Sequence, residues 1–265
     1  MAAAKILAIA GSDPSGGAGI QGDLKTFAAF GCYGMAAISA LTAQNTLGVQ
    51  AVSVVPAEFV ARQIDSIFSD IAIDAVKIGM IGAPANAAAI AKALARHKAR
   101  NIVVDPVLAA SAGDDLGGDA MAAPLREMFA LARLVTPNLM EAAILAGERL
   151  PDGPGDMRAL ALRLHALGAP AVLIKGGHLE GDAFDLLYDG ANFFEFTAPR
   201  IATRNSHGTG CALSSAIASL LGQGLALTEA VGKAKSWLTR ALEAGASQRI
   251  GAGHGPPHHF CELWR

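Results

Sequence analysis

Residues 5–30 read KILAIAGSDPSGGAGIQGDLKTFAAF. The apolar run Ile6–Ala10 has the length and composition of a buried strand, and Ala18–Phe30 has the apolar spacing of a helix. A glycine-rich segment joins the two. Because such a unit packs its helix back onto the sheet that contains its strand, this stretch predicts the start of an α/β fold.

The same alternation continues through most of the chain. Further strand candidates are the apolar runs Gly34–Ala40, Ala51–Val55, Ala75–Ile78, Ile102–Val104, Leu134–Val135 and Ala171–Ile174. The helix candidates between them are Ala57–Ser69, Ala85–His97, Gly118–Ala130, Glu141–Ala146 and Asp156–Leu167. Repeated strand–helix units predict a mainly parallel central sheet with helices on both faces, which is a three-layer α/β fold.

The last third of the chain departs from this pattern. Ala183–Tyr188 and Asn192–Phe196 flank the hairpin signal Asp189-Gly190, so we expect an antiparallel edge. Two long helix candidates follow, Gly208–Gln223 and Thr228–Ala244. The linker-like stretch Pro151–Gly155 is too short to separate domains, and residues 1–265 are therefore predicted to form a single domain.

Composition narrows the function classes. About half of the residues are hydrophobic (52%), the net charge is −2, and no basic run occurs, which argues against a nucleic acid or an anionic membrane as partner. The three cysteines, Cys32, Cys211 and Cys261, are scattered without a CxxC motif, so we expect a reducing, cytoplasmic compartment. No window has the roughly 18 apolar residues of a membrane span, and Met1–Ala10 is too short for a signal peptide.

Polar residues follow most of the strand candidates. These clusters are Gly11–Gly22, Gln44-Asn45, Gly79-Met80, Asp105, Thr136–Glu141 and Lys175–His178. Because the carboxyl ends of parallel strands meet at one edge, where open α/β sheets bind ligands, the clusters predict one shared site.

The segment Gly17–Gly22 matches the pattern GxGxxG. One interpretation is a dinucleotide site, but no Asp or Glu occurs between Asp23 and Glu58, where the ribose-binding acid is expected. The first glycine also lies several residues beyond the strand. The alternatives are a glycine-rich cap of the first helix, or a loop that folds over a small substrate near Asp23. A Walker A motif is absent.

A second glycine-rich segment, Asn205–Cys211, precedes an apolar helix candidate. Its glycines would let backbone N–H groups converge on an anion at the helix N-terminus. A thiol at this position is expected to have a lowered pKa and to be partly thiolate. A glycine-rich helix start with a structural cysteine explains the spacing equally well.

Two further clusters suit a metal and a phosphate. Asn138 and Glu141 have the spacing of a capping box, and the same hard oxygens would also suit Mg²⁺ bound partly through water. Asp105 adds a strand-end carboxylate, although a lone one often only caps a turn. Lys175 suits neutralisation of a phosphate, but a lone lysine at a strand end is usually solvated.

Together these segments resemble the hydroxymethylpyrimidine/phosphomethylpyrimidine kinase family of the ribokinase-like superfamily. The resemblance extends over nearly the whole chain and rests on Ala8–Gln21, Leu41–Thr46, Lys77–Met80, Asp105-Pro106-Val107, Thr136–Glu141, Lys175–His178, His207–Cys211 and Gly253–Pro256. Departures from the family's usual text occur at Gly22, Ser111–Gly113, Met140 and Ser206.

The resemblance implies a role for each matching residue. The aminopyrimidine pocket would comprise Gly11, Asp23, Gln44, Met80 and Val107. The nucleotide and magnesium region would comprise Asp105, Asn138, Glu141, Lys175 and His207. The catalytic anion hole would comprise Gly208, Thr209, Gly210 and Cys211, with Lys175 facing the phosphate. Most ribokinase-like enzymes have Asp where this chain has Cys211, so the thiolate would take the hydroxyl proton instead.

The resemblance also implies the reaction. It is the ATP- and Mg²⁺-dependent phosphorylation of 4-amino-5-hydroxymethyl-2-methylpyrimidine to its monophosphate and then to its diphosphate, in thiamine biosynthesis. Superfamily relatives are often dimers, so a homodimer is expected. The alternatives are a pyridoxal-type vitamin kinase of the same fold, a nicotinamide-dependent oxidoreductase based on GxGxxG, and a ligand-binding protein without activity.

Overall fold

The computed structural model describes residues 2–108, 118–150, 154–177 and 181–264. Ser111–Gly113 and His178, named above, lie outside these ranges, as does most of Pro151–Gly155. The strands are β1 Lys5–Ser12, β2 Tyr33–Asn45, β3 Gly48–Val54, β4 Ala75–Ile78, β5 Ile102–Val104, β6 Leu134–Val135, β7 Val172–Lys175, β8 Ala183–Tyr188 and β9 Phe193–Ala198. The α-helices are α1 Gly19–Ala29, α2 Ala57–Phe68, α3 Pro84–Arg96, α4 Ala122–Glu127, α5 Leu139–Ala146, α6 Pro154–Ala166, α7 Thr209–Gly222 and α8 Leu227–Gly245.

The strands form one nine-stranded sheet in the order β3-β2-β1-β4-β5-β6-β7-β8-β9. Neighbours from β2 to β7 pair in parallel, and β8 and β9 are antiparallel, as predicted. The predicted antiparallel edge is therefore confirmed, and β3 adds a second one by pairing antiparallel with β2 at the opposite edge. The predicted second strand is too short, since β2 runs five residues beyond Ala40.

Helices cover both faces of this sheet. Consecutive β1 residues alternate between two cores, because side chains of a strand point to opposite faces in turn. Leu7 and Ile9 belong to the core that contains Ile64 of α2. Ile6 and Ala8 belong to the core that contains Ile217 of α7. The three-layer α/β architecture is therefore confirmed.

Parallel pairing aligns the strand ends that carry the polar clusters. Gly79 N–H donates to Ile9 O (3.0 Å) and Asp105 N–H donates to Ile78 O (2.8 Å). Thr136 N–H then donates to Val104 O at 2.9 Å. The first loop residue after each of these strands thus lies at the same edge of the sheet.

Among the described residues, no helix is long and apolar enough to cross a bilayer.

Candidate active site

Asp13 organises the glycine-rich loop between β1 and α1. Its carboxylate accepts hydrogen bonds from the N–H groups of Ser15 (2.9 Å), Gly17 (3.2 Å) and Ala18 (2.8 Å). Burial opposes ionisation, but hydrogen bonds from His207, Ser15 and Ala18 outweigh it and lower the pKa of Asp13 to about 2. The loop amides that a pyrophosphate would need are therefore occupied by a carboxylate, so the dinucleotide interpretation of GxGxxG is wrong.

His207 joins this loop to the end of β2. Its Nε2 lies 2.8 Å from Asp13 Oδ2 and 3.4 Å from Gln44 Nε2, and its ring is buried. A Cβ added to Gly17 would lie 2.6 Å from the ring. The expectation that His207 contacts the nucleotide is not supported, since its ring is enclosed by the glycine-rich loop and Gln44.

Gln44 lies within β2, rather than after a strand as predicted from the sequence. A register shift between Ala43 and Gln44 interrupts the pairing with β3. Its side chain is half-buried, and its Oε1 accepts a hydrogen bond from Thr42 Oγ1 at 3.2 Å. The irregularity and the partial exposure leave a carboxamide at the sheet edge, where a ring could bind.

The start of α7 lies against the same loop. Gly208 has a φ of 75°, in the left-handed region, and is the N-cap of the helix. An added Cβ would clash with Gly17 O, so only glycine fits there. Thr209, Gly210 and Cys211 are partly exposed, whereas 212–221 are all buried. The first turn of α7, whose N–H groups lack partners within the helix, is thus the part that faces outward.

Lys175 lies at this helix start and pairs with Asp105. Its Nζ is 2.8 Å from Asp105 Oδ1, and a Cβ added to Gly210 would be 3.0 Å from the same Nζ. The carboxylate also accepts from Thr136 (3.0 Å) and Ser214 (3.2 Å). Burial alone would lower the pKa of Lys175, but the nearby carboxylates of Asp105 and Glu141 raise it. A partly exposed ammonium, with 14% of the lysine side chain accessible, therefore lies beside the first turn of α7.

Asn138 and Glu141 form the capping box that the sequence predicts. Asn138 Oδ1 accepts from Glu141 N–H at 2.9 Å, and Glu141 accepts from Asn138 N–H at 2.8 Å. Burial raises the pKa of Glu141 to about 7. The spacing is explained by helix capping, but a buried carboxyl with this pKa would also gain from a nearby cation.

The expectation that Cys211 has a lowered pKa and is partly thiolate is wrong for the protein without ligands. Burial raises the thiol pKa to about 11, because its effect and that of the Asp23 and Asp105 charges exceed the opposing effect of Lys77. The helix N-terminus by itself does not ionise this thiol. Any ionisation has to come from neighbouring positive charge.

Asp23 is not on the surface of a pocket, which corrects the expectation that it contacts the pyrimidine. Its side chain is fully buried, and its two oxygens lie 2.8 and 2.9 Å from Lys77 Nζ. Ser215 Oγ donates to the same carboxylate at 2.7 Å. Both oxygens of Asp23 are therefore used inside the protein.

The remaining pocket residues follow neighbouring strands. Gly11 N–H donates to Met80 O at 3.0 Å, and a Cβ on Gly11 would lie 3.0 Å from the Met80 sulfur. Val107 follows β5, which pairs with β4 before Met80. Met80 and Val107 are both partly exposed. The structure thus brings Gly11 and Met80 into contact and places Val107 at the same edge.

Comparison with known proteins then identifies the family. A family model for phosphomethylpyrimidine kinase matches residues 13–258. The chain belongs to the phosphomethylpyrimidine kinase family. It is 51% identical to a hydroxymethylpyrimidine/phosphomethylpyrimidine kinase of Rhizobium meliloti over 98% of both chains. It is 46% identical to the Salmonella typhimurium enzyme of that name, over 97% of this chain and 98% of that one.

A solved structure agrees with this family assignment. An ADP complex of Bacillus subtilis pyridoxal kinase has a TM-score of 0.91 and 35% identity, with complete coverage of both chains. The predictions of a ribokinase-like fold and of a kinase are therefore confirmed. The prediction of hydroxymethylpyrimidine/phosphomethylpyrimidine kinase activity is confirmed by the names of the relatives that cover the chain. These relatives support neither the oxidoreductase nor the binding protein without activity.

The sequence analysis assigned no role to three buried residues of this phosphomethylpyrimidine kinase: Asp13, Lys77 and Ser215. Asp13-Pro14-Ser15 has the pattern of a side chain that bonds the backbone two residues on, which could have identified the loop. Lys77 interrupts the four-residue apolar strand β4, and a charge there is unusual enough to indicate a buried partner. Ser215 carries no such signal.

Proposed function

We propose that the first turn of α7 transfers the γ-phosphoryl group of ATP to the hydroxymethyl oxygen of 4-amino-5-hydroxymethyl-2-methylpyrimidine, and then to the resulting monophosphate, in thiamine biosynthesis. One observation carries the proposal: α7 buries residues 212–221 but leaves its first turn partly exposed, with Lys175 beside Gly210 and Gln44 of β2 beside His207. Family membership supports the reaction class.

The proposed roles follow from charge and position. The amides of Thr209, Gly210 and Cys211, together with Lys175, would stabilise the oxygens of the migrating phosphoryl group, as phosphoryl transfer depends on positioning and charge neutralisation. The hydroxymethyl oxygen forms a new bond to γ-phosphorus, and the bond to the bridging oxygen breaks with its electrons staying on ADP. The Cys211 thiol first releases its own proton to solvent, and the resulting thiolate then takes the proton of the substrate hydroxyl.

Asp105 and Glu141 would hold Mg²⁺ on the nucleotide. Both lie close to Lys175 and offer the hard carboxylate oxygens that Mg²⁺ prefers. Among the described residues no three His, Cys, Asp or Glu side chains form a ready metal cage. The residues therefore fit an ion whose other ligands are phosphate oxygens and water. When bound, Mg²⁺ would neutralise charge on the phosphates. Asn138 would contribute by fixing Glu141 and bordering the triphosphate.

The ring would bind at the opposite end of the site. Gln44 offers a carboxamide to the exocyclic amine and ring nitrogens, and Gly11, Met80 and Val107 offer a small and apolar wall. The monophosphate that is phosphorylated second already carries an ionised oxygen, so its phosphorylation needs no base. One pocket can therefore serve both steps.

Pyridoxal is the second candidate substrate, because it also carries a hydroxymethyl group on a six-membered aromatic ring and the fold matches a pyridoxal kinase at a TM-score of 0.91. A coupled ADP-release assay with the hydroxymethylpyrimidine, its monophosphate and pyridoxal tests both. We expect the highest kcat/KM with the pyrimidine alcohol and turnover of its monophosphate. ADP release with pyridoxal alone would contradict the proposal.

We propose one kinase domain over residues 1–265 that acts in the cytoplasm on small molecules and not on nucleic acid. A homodimer is supported by edge strand β3 and its neighbour β2, which expose Leu41, Val52 and Val54 at 43–49%. Static light scattering tests this. A dimer in the native protein that becomes monomeric in Val52→Lys supports it, and a native monomer contradicts it.

A further inference from the structure

The Lys77–Asp23 pair is sealed inside the protein. Neither side chain has any exposed surface, and both carboxylate oxygens lie within 2.9 Å of Nζ. Ser215 Oγ adds a hydrogen bond of 2.7 Å. Burying two charges is costly, and apolar replacements of similar size are often no less stable. Stability alone therefore does not account for this pair.

The pair lies one helical turn from the proposed proton acceptor. Ser215 is four residues after Cys211 on α7, so the two side chains lie on one face of that helix. Asp23 is likewise four residues after Gly19 on α1, and the backbone of Gly19 is among the groups that lower the pKa of the Cys211 thiol. The first turns of α1 and α7 thus border the thiol, and the next turns carry Asp23 and Ser215.

The sheet leaves room for the ammonium at this level. A Cβ added to Gly79 would lie 2.7 Å from Lys77 Nζ and 3.2 Å from Ala10 Cβ. Any larger residue at 79 would displace the ammonium from Asp23. The glycine of Lys77-Ile78-Gly79-Met80 is therefore required by the lysine two residues before it.

We propose that Lys77, held in place by Asp23, is a positioning residue for phosphoryl transfer, whose buried positive charge favours the thiolate of Cys211 when the substrate alcohol loses its proton. The inference rests on the proposed role of Cys211. The proton passes from the hydroxyl oxygen to the Cys211 thiolate, and Lys77 neither donates nor accepts a proton.

Four charged groups act on this thiol from the elements around it. Lys77 on β4 lowers its pKa, and Asp23 on α1 and Asp105 after β5 raise it. Lys175 at the end of β7 is the fourth, and it interacts favourably with the thiolate. The two members of the sealed pair therefore have opposite effects, which a loss of packing would not reproduce.

The test is the ionisation of the thiol without substrate or nucleotide. Alkylation of the intact protein by iodoacetamide is followed from pH 7 to 10 (about the range over which cysteines titrate), and the Cys211 peptide is quantified by mass spectrometry. The variants are Asp23→Asn and Lys77→Met/Asp23→Asn, the second having no unpaired buried charge. Alkylation of Cys261 in the same sample is the internal control for reagent and pH.

We expect Asp23→Asn to be alkylated at Cys211 faster than the native protein. Adding Lys77→Met should slow this reaction about tenfold below the thiol pKa, which corresponds to about one pKa unit. Equal Cys211 rates in the two variants, with unchanged Cys261 rates, would overturn the inference. If the rates shift as expected but both phosphoryl acceptors lose activity equally, the base role of Cys211 fails and the electrostatic role of Lys77 stands.

Discussion

Two lysine–aspartate pairs occupy neighbouring positions in this protein and differ mainly in exposure. Lys77 and Asp23 are fully buried, whereas Lys175 pairs with Asp105 at the same 2.8 Å but keeps 14% of its side chain exposed. Lys77 lies inside β4 and Lys175 is the last residue of β7. The Lys77–Asp23 pair is thus enclosed in the interior near the start of α7, whereas the Lys175–Asp105 pair is partly exposed beside it.

The position of each lysine along its strand decides whether a ligand can contact its ammonium. A sealed ammonium can act only through its field, because no ligand atom can reach it. An ammonium at a strand end can exchange its carboxylate partner for a phosphate oxygen. On the proposed roles, the same pair of side-chain types would therefore serve two functions, decided by position along the strand.

The largest expected effect is on stability. Lys77→Met leaves Asp23 buried without its counter-charge, and breaking a buried pair in this way costs about 3–5 kcal/mol. Urea unfolding should show that loss. The surface variant Lys233→Met, which breaks an exposed pair with Glu229, should lose at most about 1 kcal/mol. Similar losses in both variants would remove the distinction between sealed and open pairs.

Lys175→Met should reduce activity more than stability. Loss of one donor to the transferring group typically costs roughly 10²- to 10³-fold in kcat. Steady-state kinetics with ATP and the pyrimidine alcohol measure this, and Lys175→Arg should recover part of the rate. A Lys175→Met enzyme within fivefold of the native kcat would contradict a role at the phosphate.

Gln44→Ala should affect the ring end alone. We expect the KM for the pyrimidine to rise roughly tenfold, in keeping with one or two lost hydrogen bonds, while the KM for ATP stays within twofold. Gln50→Ala, on the exposed strand of the same hairpin, is the control. An equal rise in both KM values would place Gln44 outside the ring pocket.

His259 extends the comparison to a buried basic side chain whose Nε2 is not paired with a carboxylate. Its Nε2 is buried with no hydrogen-bond partner among the described residues, and burial lowers its pKa to about 4. Between that value and the usual pKa of about 6.5 the unfolded chain binds the proton and the folded protein does not. Stability should therefore fall as pH drops through this range.

His259→Phe should flatten this decline and leave stability near pH 8 almost unchanged. Urea midpoints at several pH values between 4 and 8 measure the effect. Parallel curves for the variant and the native protein would show that His259 ionises as easily when folded as when unfolded.

Much of the fold could be predicted from sequence because its signals are local. Apolar runs and helical spacing located β4, β5 and β6 at their observed bounds and both long C-terminal helices to within a few residues. The candidate Ala51–Val55 overlaps β3, but its antiparallel pairing with β2 was missed, because the predicted second strand ended at Ala40 and left no short turn between the two strands. Its pairing depends on the neighbouring sheet rather than on its own residues.

The site was less predictable for a physical reason. Positions at strand ends can be read from the sequence, so Lys175 at the end of β7 and Asp105 just after β5 were placed correctly, whereas Gln44 lies within β2. Burial and partners depend on the whole fold, so the enclosure of Asp23 by Lys77 and the raised pKa of Cys211 were not. The helix N-terminus suggested a thiolate, but desolvation outweighed it.

The most direct measurement of phosphoryl transfer at the start of α7 is kcat/KM of Cys211→Ala with the two successive acceptors. Only the alcohol has a proton to lose, and removal of a general base typically costs 10²- to 10⁴-fold. We predict a loss of about 10²-fold or more with the hydroxymethylpyrimidine and less than tenfold with its monophosphate, each with saturating ATP. Unchanged kinetics with both acceptors would contradict transfer at this helix start, and equal losses would reject Cys211 as the base.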